Sequence, residues 1–287
     1  MPDPVKADLT GRKAIVTGAN TGIGKAIARE LARLGAEVTL ACRNADKGEA
    51  ARADIAAGLP KARIEVRHLD LASLASVGEF AARFLAEQPK LDILVNNAGL
   101  WGPDRTESVD GIELQWATNV LGPQQLTLLL LPALKASGHG RVVNVASTAA
   151  GGLDLDDVEF KRRKYDGFKA YSATKQANRM LTWALAEKLK GSPVTANALS
   201  PGLVKTELNR NVRGFLAVVF KLAGPMQRTV EQGADTAVWL AASPEVEGRT
   251  NTFWIDRKAV PCKFRNESAQ ARLWALCDAQ LAGRRAA

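Results

Sequence analysis

Residues 13–25 read Lys13-Ala14-Ile15-Val16-Thr17-Gly18-Ala19-Asn20-Thr21-Gly22-Ile23-Gly24-Lys25. The short apolar run Lys13 to Val16 has the character of a buried strand, and residues 23–34 carry a helical pattern. Between them, glycines stand at 18, 22 and 24 in a G-x-x-x-G-x-G spacing. This differs from the G-x-G-x-x-G fingerprint, but the physics is shared. A tight strand-to-helix turn without Cβ atoms lets backbone N–H groups and a helix N-terminus face an anion such as a pyrophosphate.

The strand–turn–helix unit recurs along the chain. Further strand-like runs occupy 37–41, 63–68, 93–96, 141–145, 194–199 and 253–255, with helical patterns at 45–57, 73–87, 111–134, 171–189 and 230–242. Such alternation implies parallel strands joined by right-handed crossovers, with helices on both faces of the sheet. No Pro/Gly/Ser-rich linker and no fixed-period repeat divides the 287 residues. The expected fold is therefore α/β, a single doubly wound Rossmann-type domain over 1–287 with a mostly parallel sheet of about seven strands. Its cofactor-binding half would cover about 10–150, its catalytic and substrate half about 140–260, and a tail 257–287. Two stretches, 149–170 and 203–229, interrupt the alternation at strand ends, where open α/β sheets bind ligands, and are candidate lids or pocket walls.

Composition removes several other classes. A hydrophobic content of 46% with 24% charged residues belongs to a folded globular chain. The net charge of +9 suggests a polyanionic partner until it is located: segments 201–230 (+4) and 257–287 (+5) carry all of it. The basic run Lys161-Arg162-Arg163-Lys164 follows Asp154, Asp156, Asp157 and Glu159, which reads as a solvated, self-neutralised loop. No aromatic–basic pattern accompanies the charge, so nucleic acid is not an expected partner. Cys42, Cys262 and Cys277 are scattered and only His68 and His139 could add imidazoles, so neither a disulfide framework nor a metal site is expected. The start, Met1-Pro2-Asp3-Pro4, lacks a signal-peptide pattern and no stretch approaches a membrane span; a reducing cytoplasm is the expected location.

The end of the second strand selects a nucleotide. An NAD site wants a carboxylate there to hold the ribose 2′-OH. This chain reads Leu40-Ala41-Cys42-Arg43-Asn44. No carboxylate repels a 2′-phosphate, and Arg43 offers a planar fork that matches one, so NADP(H) is preferred over NAD(H).

Tyr171 and Lys175 lie four residues apart in a helical pattern, which sets an ammonium beside a phenol. Lowering a phenol from near 10 toward neutrality by about three pKa units takes roughly 4 kcal/mol, which Lys175 and an oxidised nicotinamide ring could supply. Ser147 stands just past the strand Val142-Val143-Asn144-Val145.

In order and context, Gly18 to Gly24, His68-Leu69-Asp70-Leu71, Asn96-Asn97-Ala98-Gly99, Asn119, Ser147, Tyr171-Ser172-Ala173-Thr174-Lys175 and Pro201-Gly202 through Thr206 resemble the short-chain dehydrogenase/reductases over roughly 10–205. Ala41-Cys42-Arg43, Asn119 with Leu121-Gly122, the long gap from Ser147 to Tyr171, and Ala177-Asn178 resemble the retinol-dehydrogenase and protochlorophyllide-reductase-like branch, as more loosely does Arg272-Leu273-Trp274. The resemblance implies a catalytic set of Asn119, Ser147, Tyr171 and Lys175. Tyr171 would be general acid/base and Ser147 a hydrogen-bond donor to the substrate oxygen. Asn119 would interrupt its helix and hold a water linking Lys175 to solvent. It also implies a cofactor shell of Gly18, Asn20, Thr21, Gly22, Ile23 and Gly24, with Asp70 and Leu71 at the adenine. Asn97, Ala98 and Gly99 would run along the ribose and pyrophosphate. Tyr171 and Lys175 would reach the nicotinamide side, and Pro201, Gly202, Val204 and Thr206 the carboxamide. The departures at Ala173-Thr174 and Gln176 touch none of these roles.

The implied activity is hydride transfer between NADP(H) and a bulky lipophilic alcohol, aldehyde or ketone. Apolar Leu100, Trp101, Leu203 and Phe215 would wall the pocket. Segment 210–221 would be a lid, with weak peripheral membrane contact as the other reading. A non-catalytic NADP-binding scaffold is the alternative; it should have lost one of the four catalytic residues, and all four are present. Light-driven reduction would need a pigment that sequence does not reveal.

Overall fold

The apolar runs become strands, and in the computed structural model, which describes residues 3–204 and 227–285, these are β1 (Lys13–Thr17), β2 (Glu37–Cys42), β3 (Arg63–His68), β4 (Ile93–Asn96), β5 (Arg141–Val145), β6 (Thr195–Leu199), β7 (Phe253–Ile255) and β8 (Lys258–Val260). They form one sheet in the order β3-β2-β1-β4-β5-β6-β7-β8, all parallel except the β7–β8 pair. The central strands β1 and β4 are almost wholly buried, which explains their continuous apolar character.

The eighth strand corrects the expected count of about seven. Asp256 and Arg257 both adopt positive φ, 52° and 58°, and make a two-residue hairpin turn between β7 and β8. Asp256 tolerates that conformation, but Arg257 carries no sequence signal for such a turn. Tertiary contacts hold it instead: Arg257 pairs with Asp235, Arg228 pairs with Asp256, and the Arg257 N–H donates to Thr236 Oγ1 at 3.2 Å.

The described helices are α1 (Gly22–Arg33), α2 (Ala45–Gly58), α3 (Leu74–Glu87), the single turn α4 (Leu114–Trp116), α5 (Gly122–Ala136), α6 (Gly167–Lys188), α7 (Val230–Ala242) and α8 (Glu267–Arg285). One face of the sheet packs against α1, α2 and α7 through residues such as Leu31, Leu40, Ile55 and Trp239. The other packs against α3, α5 and α6 through Phe84, Leu94, Leu121 and Leu181. The C-terminal tail is a structural element in its own right: Leu273, Trp274, Cys277 and Leu281 of α8 are buried in that second layer.

Helix α6 begins four residues before the Tyr171 that the pattern suggested. Asp166 caps it, accepting the N–H groups of Phe168 and Lys169 at 3.0 and 2.9 Å. Gly167 lies against the Gly102 carbonyl, where a Cβ would not fit.

Segment 149–170 is self-neutralised but not simply solvated. The Asp157 carboxylate is buried and accepts N–H groups from Lys161, Arg162 and Arg163, together with the Arg163 guanidinium. Glu159, also buried, accepts from the Glu113 N–H at 3.2 Å and from Gln280 Nε2 of α8 at 3.3 Å. Trp116 Nε1 donates to Gln280 Oε1 at 2.9 Å, so the insertion is clipped to α4 and α8 together. No helix among the described residues is long and apolar enough to cross a membrane.

Candidate active site

The strand order reverses direction at β1 and β4, so the carboxyl ends of these two neighbours border a crevice. Thr17 at the end of β1 stitches its rim. Its Oγ1 accepts the N–H groups of Asn97 and Ala98, both at 3.0 Å, while Asn97 Nδ2 donates to the Thr17 carbonyl at 2.9 Å. Gly18 turns the chain at φ +64°, and a Cβ on Gly24 would meet both the Gly18 carbonyl and Asn97 Nδ2. Close approach of turn to helix is thus what these glycines provide. The N-cap of α1, Thr21, makes no side-chain cap bond, and no acidic residue stands in the first turn. Amides and macrodipole are left for an anion, and the residues fit the pyrophosphate of a dinucleotide.

At the end of β2 the two adjacent side chains diverge. Cys42 is buried beneath Gly48 and desolvation pushes its thiol up to about 11. Arg43 is exposed and has no hydrogen bond or ion pair among the described residues. Asp70 shapes its own turn, its Oδ1 accepting the Ala72 N–H at 3.0 Å and its N–H donating to Ser76 Oγ at 3.0 Å. The Leu71 carbonyl lies against Gly122 at the start of α5, where no Cβ would fit.

The second half of the site is built by β5, α6 and a break in the helical run before α5. Lys175, 3% exposed, donates from Nζ to the Val145 carbonyl at 2.9 Å, and Nζ lies 5.6 Å from the Tyr171 ring centroid. Desolvation pushes Lys175 down to about 8. It also pushes Tyr171 up to about 12, against an opposing hydrogen bond with Ser147. Among the protein's own groups desolvation of the phenolate outweighs Ser147; the expected lowering toward neutrality draws also on an oxidised nicotinamide ring. Ser147 Oγ additionally accepts the Ala149 N–H at 3.1 Å.

Asn119 lies in a π turn, Ala117–Leu121, that interrupts the helix. Its Oδ1 accepts the Leu100 N–H at 2.7 Å and its Nδ2 donates to the Leu100 carbonyl at 2.8 Å and to Thr174 Oγ1 at 3.1 Å. Thr174 Oγ1 in turn donates to the Tyr171 carbonyl at 2.7 Å. Thr174 couples Asn119 to α6, and Gln176 Oε1 accepts the Leu153 N–H at 3.2 Å, tying the insertion to the same helix.

Gly202 has φ +79° and faces the Arg228 side chain. Val204 is buried against Gly233, which also faces Ile23, so the loop after β6 meets the N-terminal end of α1. Of the apolar wall, Leu100 is half-buried, Trp101 is buried with Nε1 lacking a partner among the described residues, and Leu203 is exposed. Thr206, Phe215 and the segment 210–221 lie outside the described residues. Among those described, no group of three or more His, Cys, Asp or Glu is arranged to hold a metal ion.

Residues 12–216 match the family model described as short chain dehydrogenase. The chain is 41% identical to human retinol dehydrogenase 13 over 282 residues, covering 95% of this chain and 85% of that protein. It is 41% identical to mouse retinol dehydrogenase 12 over 270 residues, covering 93% and 85%. Among solved structures, it superposes on an uncharacterized protein of Mycobacterium paratuberculosis with a TM-score of 0.78 and 33% identity over 96% and 95% of the two chains. A gluconate 5-dehydrogenase from Burkholderia cenocepacia, solved with NADP and tartrate, gives a TM-score of 0.68 at 28% identity over 87% and 95%.

Proposed function

This chain belongs to the short-chain dehydrogenase family, and from that premise we propose that it is an NADP(H)-dependent oxidoreductase interconverting a bulky lipophilic alcohol and its aldehyde or ketone. The observation that carries the reading is the gathering of Ser147, Tyr171 and Lys175, with Asn119 tied to α6, beside the glycine turn. The retinol dehydrogenases among its relatives favour a retinoid-like compound as substrate class.

Gly18, Asn20, Thr21, Gly22, Ile23 and Gly24 would hold the cofactor's pyrophosphate and Arg43 its 2′-phosphate. Asp70 and Leu71 would flank the adenine, and Asn97, Ala98 and Gly99 the ribose. Lys175 would hold the nicotinamide ribose, and Pro201, Gly202, Val204 and Thr206 the carboxamide. Bound there, the cofactor supplies the hydride donor or acceptor and, when oxidised, a positive charge. Tyr171 gives its proton to the carbonyl oxygen in reduction and takes it back in oxidation. Ser147 donates a hydrogen bond to the same oxygen, where charge develops. Lys175, pushed down to about 8 by burial, would pass protons as well as hold charge near the phenol. Asn119 keeps Leu100 and α6 in register, so the pocket wall and the acid move as one unit.

Leu100, Trp101, Leu203 and Phe215 would form the apolar wall, with 210–221 as its lid. The unpaired Cys42, Cys262 and Cys277 suit a reducing, cytoplasmic setting. A spectrophotometric screen of lipophilic aldehydes, ketones and alcohols with NADPH/NADP⁺ and NADH/NAD⁺ tests the whole reading. The expected result is turnover favouring the phosphorylated cofactor and abolished by Tyr171→Phe. NADPH binding without turnover of any compound would favour the non-catalytic scaffold instead.

A further inference from the structure

Helix α6 carries a second basic residue on the face of Tyr171 and Lys175, namely Arg179, one further turn along. It is 7% exposed and no carboxylate pairs with it among the described residues. Its Nη2 donates to the Ser147 carbonyl and its Nη1 approaches Cys262 Sγ at 3.9 Å. The guanidinium carbon lies 3.7 Å from the Phe253 ring centroid and 5.5 Å from that of Phe264. Nε is buried with no hydrogen-bond partner among the described residues. Such a charge is costly to bury, and an unbranched apolar side chain would fill the slot between the two rings without that cost. What the apolar chain would lack is a donor for the Ser147 carbonyl.

The geometry of that donor matches Lys175. Carbonyls two residues apart on an extended chain point the same way about 6.6 Å apart, and side chains one helical turn apart are separated by about 6 Å. Lys175 holds the Val145 carbonyl and Arg179 the Ser147 carbonyl, so two successive turns of α6 grip two successive same-side carbonyls at the end of β5. The last backbone bond from this end to β6 is Ala146 N–H to the Leu199 carbonyl, one residue short of Ser147.

We infer that Arg179 is a positioning residue: by holding the Ser147 carbonyl it fixes the backbone from which Ser147 Oγ reaches the Tyr171 phenol. The inference rests on the proposed catalytic roles of Ser147 and Tyr171, and its test separates the two. Arg179→Met keeps a long side chain over both rings without a donor, and Arg179→Lys keeps the charge. These are compared with Ser147→Ala and with the Ser147→Ala/Arg179→Met double variant in the full chain. Expected is a kcat about tenfold lower for R179M with the NADPH Kd within about twofold, substantial recovery in R179K, and a double variant no slower than S147A, because residues acting through one another are non-additive. Losses that multiply in the double variant would mark a merely structural role and overturn the inference.

A second readout needs no turnover. The chain has two tyrosines, Tyr165 and Tyr171, so ¹³C-tyrosine NMR with Tyr165→Phe assigns both. Expected is displacement of the Tyr171 Cζ signal in the same direction by S147A and R179M. A Tyr171 signal moved by S147A and untouched by R179M overturns the inference, whether or not a substrate is found. Absence of turnover with that signal moved by both variants counts against the catalytic reading alone. If R179M does not fold, Arg179→Gln replaces it in the same comparisons.

Discussion

Asn119 Nδ2 donates to Thr174 Oγ1 at 3.1 Å, which joins the π turn to the helix bearing Tyr171 and Lys175. Thr174 passes the connection on within its own helix, donating to the Tyr171 carbonyl. Two residues far apart in sequence thus share the task of setting Leu100 against the acid.

Thr174→Val removes the acceptor and leaves the buried Asn119 amide short of one partner. The expected cost is about 1–3 kcal/mol of stability, with kcat reduced and Thr174→Ser close to wild type. Thermal unfolding beside steady-state kinetics checks it; equal Tm and kcat in Thr174→Val would show that the bond does nothing.

Lys175 carries a pH signature. Its pKa is about 8 in the fold and near 10.5 unfolded, so the unfolded chain binds more protons between those values. Stability from this residue therefore rises with pH through that window, by about 3 kcal/mol at most. Lys175→Met should lose turnover, gain stability at neutral pH, and flatten the rise. Denaturant unfolding at a series of pH values, read as the difference between wild type and variant, isolates it from Tyr171. A variant no more stable at pH 7 than wild type would contradict it.

Arg43 is exposed at the end of β2 and unpaired among the described residues. Replacing it with Asp should lower kcat/KM for NADPH by about 10²-fold and raise that for NADH, since a carboxylate repels a 2′-phosphate and accepts from a 2′-OH. Parallel kinetics with the two cofactors decide; an unchanged ratio would remove Arg43 from the site.

Leu273 is fully buried where α8 meets the core. Leu273→Ala should cost about 2–5 kcal/mol, because truncation leaves a cavity in the layer that contains α6. A loss below about 1 kcal/mol in denaturant unfolding would show that the helix is only loosely attached.

Where hydrophobic period decides structure, the sequence was legible to the residue: β3, β4, β5, β7 and α7 have the expected limits. So was the order of motifs around the crevice, since glycines and strand ends leave local marks. The hairpin to β8 was not, because Arg257 takes its positive φ under the hold of Asp235, more than twenty residues earlier. The tail helix did leave a signal, Leu273, Cys277 and Leu281 at intervals of four, and Asp166 was a readable cap for α6. The direction of the Tyr171 shift and the partners of Thr174 depend on packing among distant segments, which one-dimensional spacing does not express.

Cys42 and Arg43, neighbours with opposite exposures, bear on chemical durability. A thiol at the mouth of a crevice is ordinarily the first group to be alkylated by an electrophile. Here strand alternation turns Cys42 inward, where at about 11 it remains the protonated thiol, and Cys277 at about 12 is likewise inert. An electrophilic carbonyl entering the crevice thus meets neither of these two buried thiols as a thiolate, so neither one captures it.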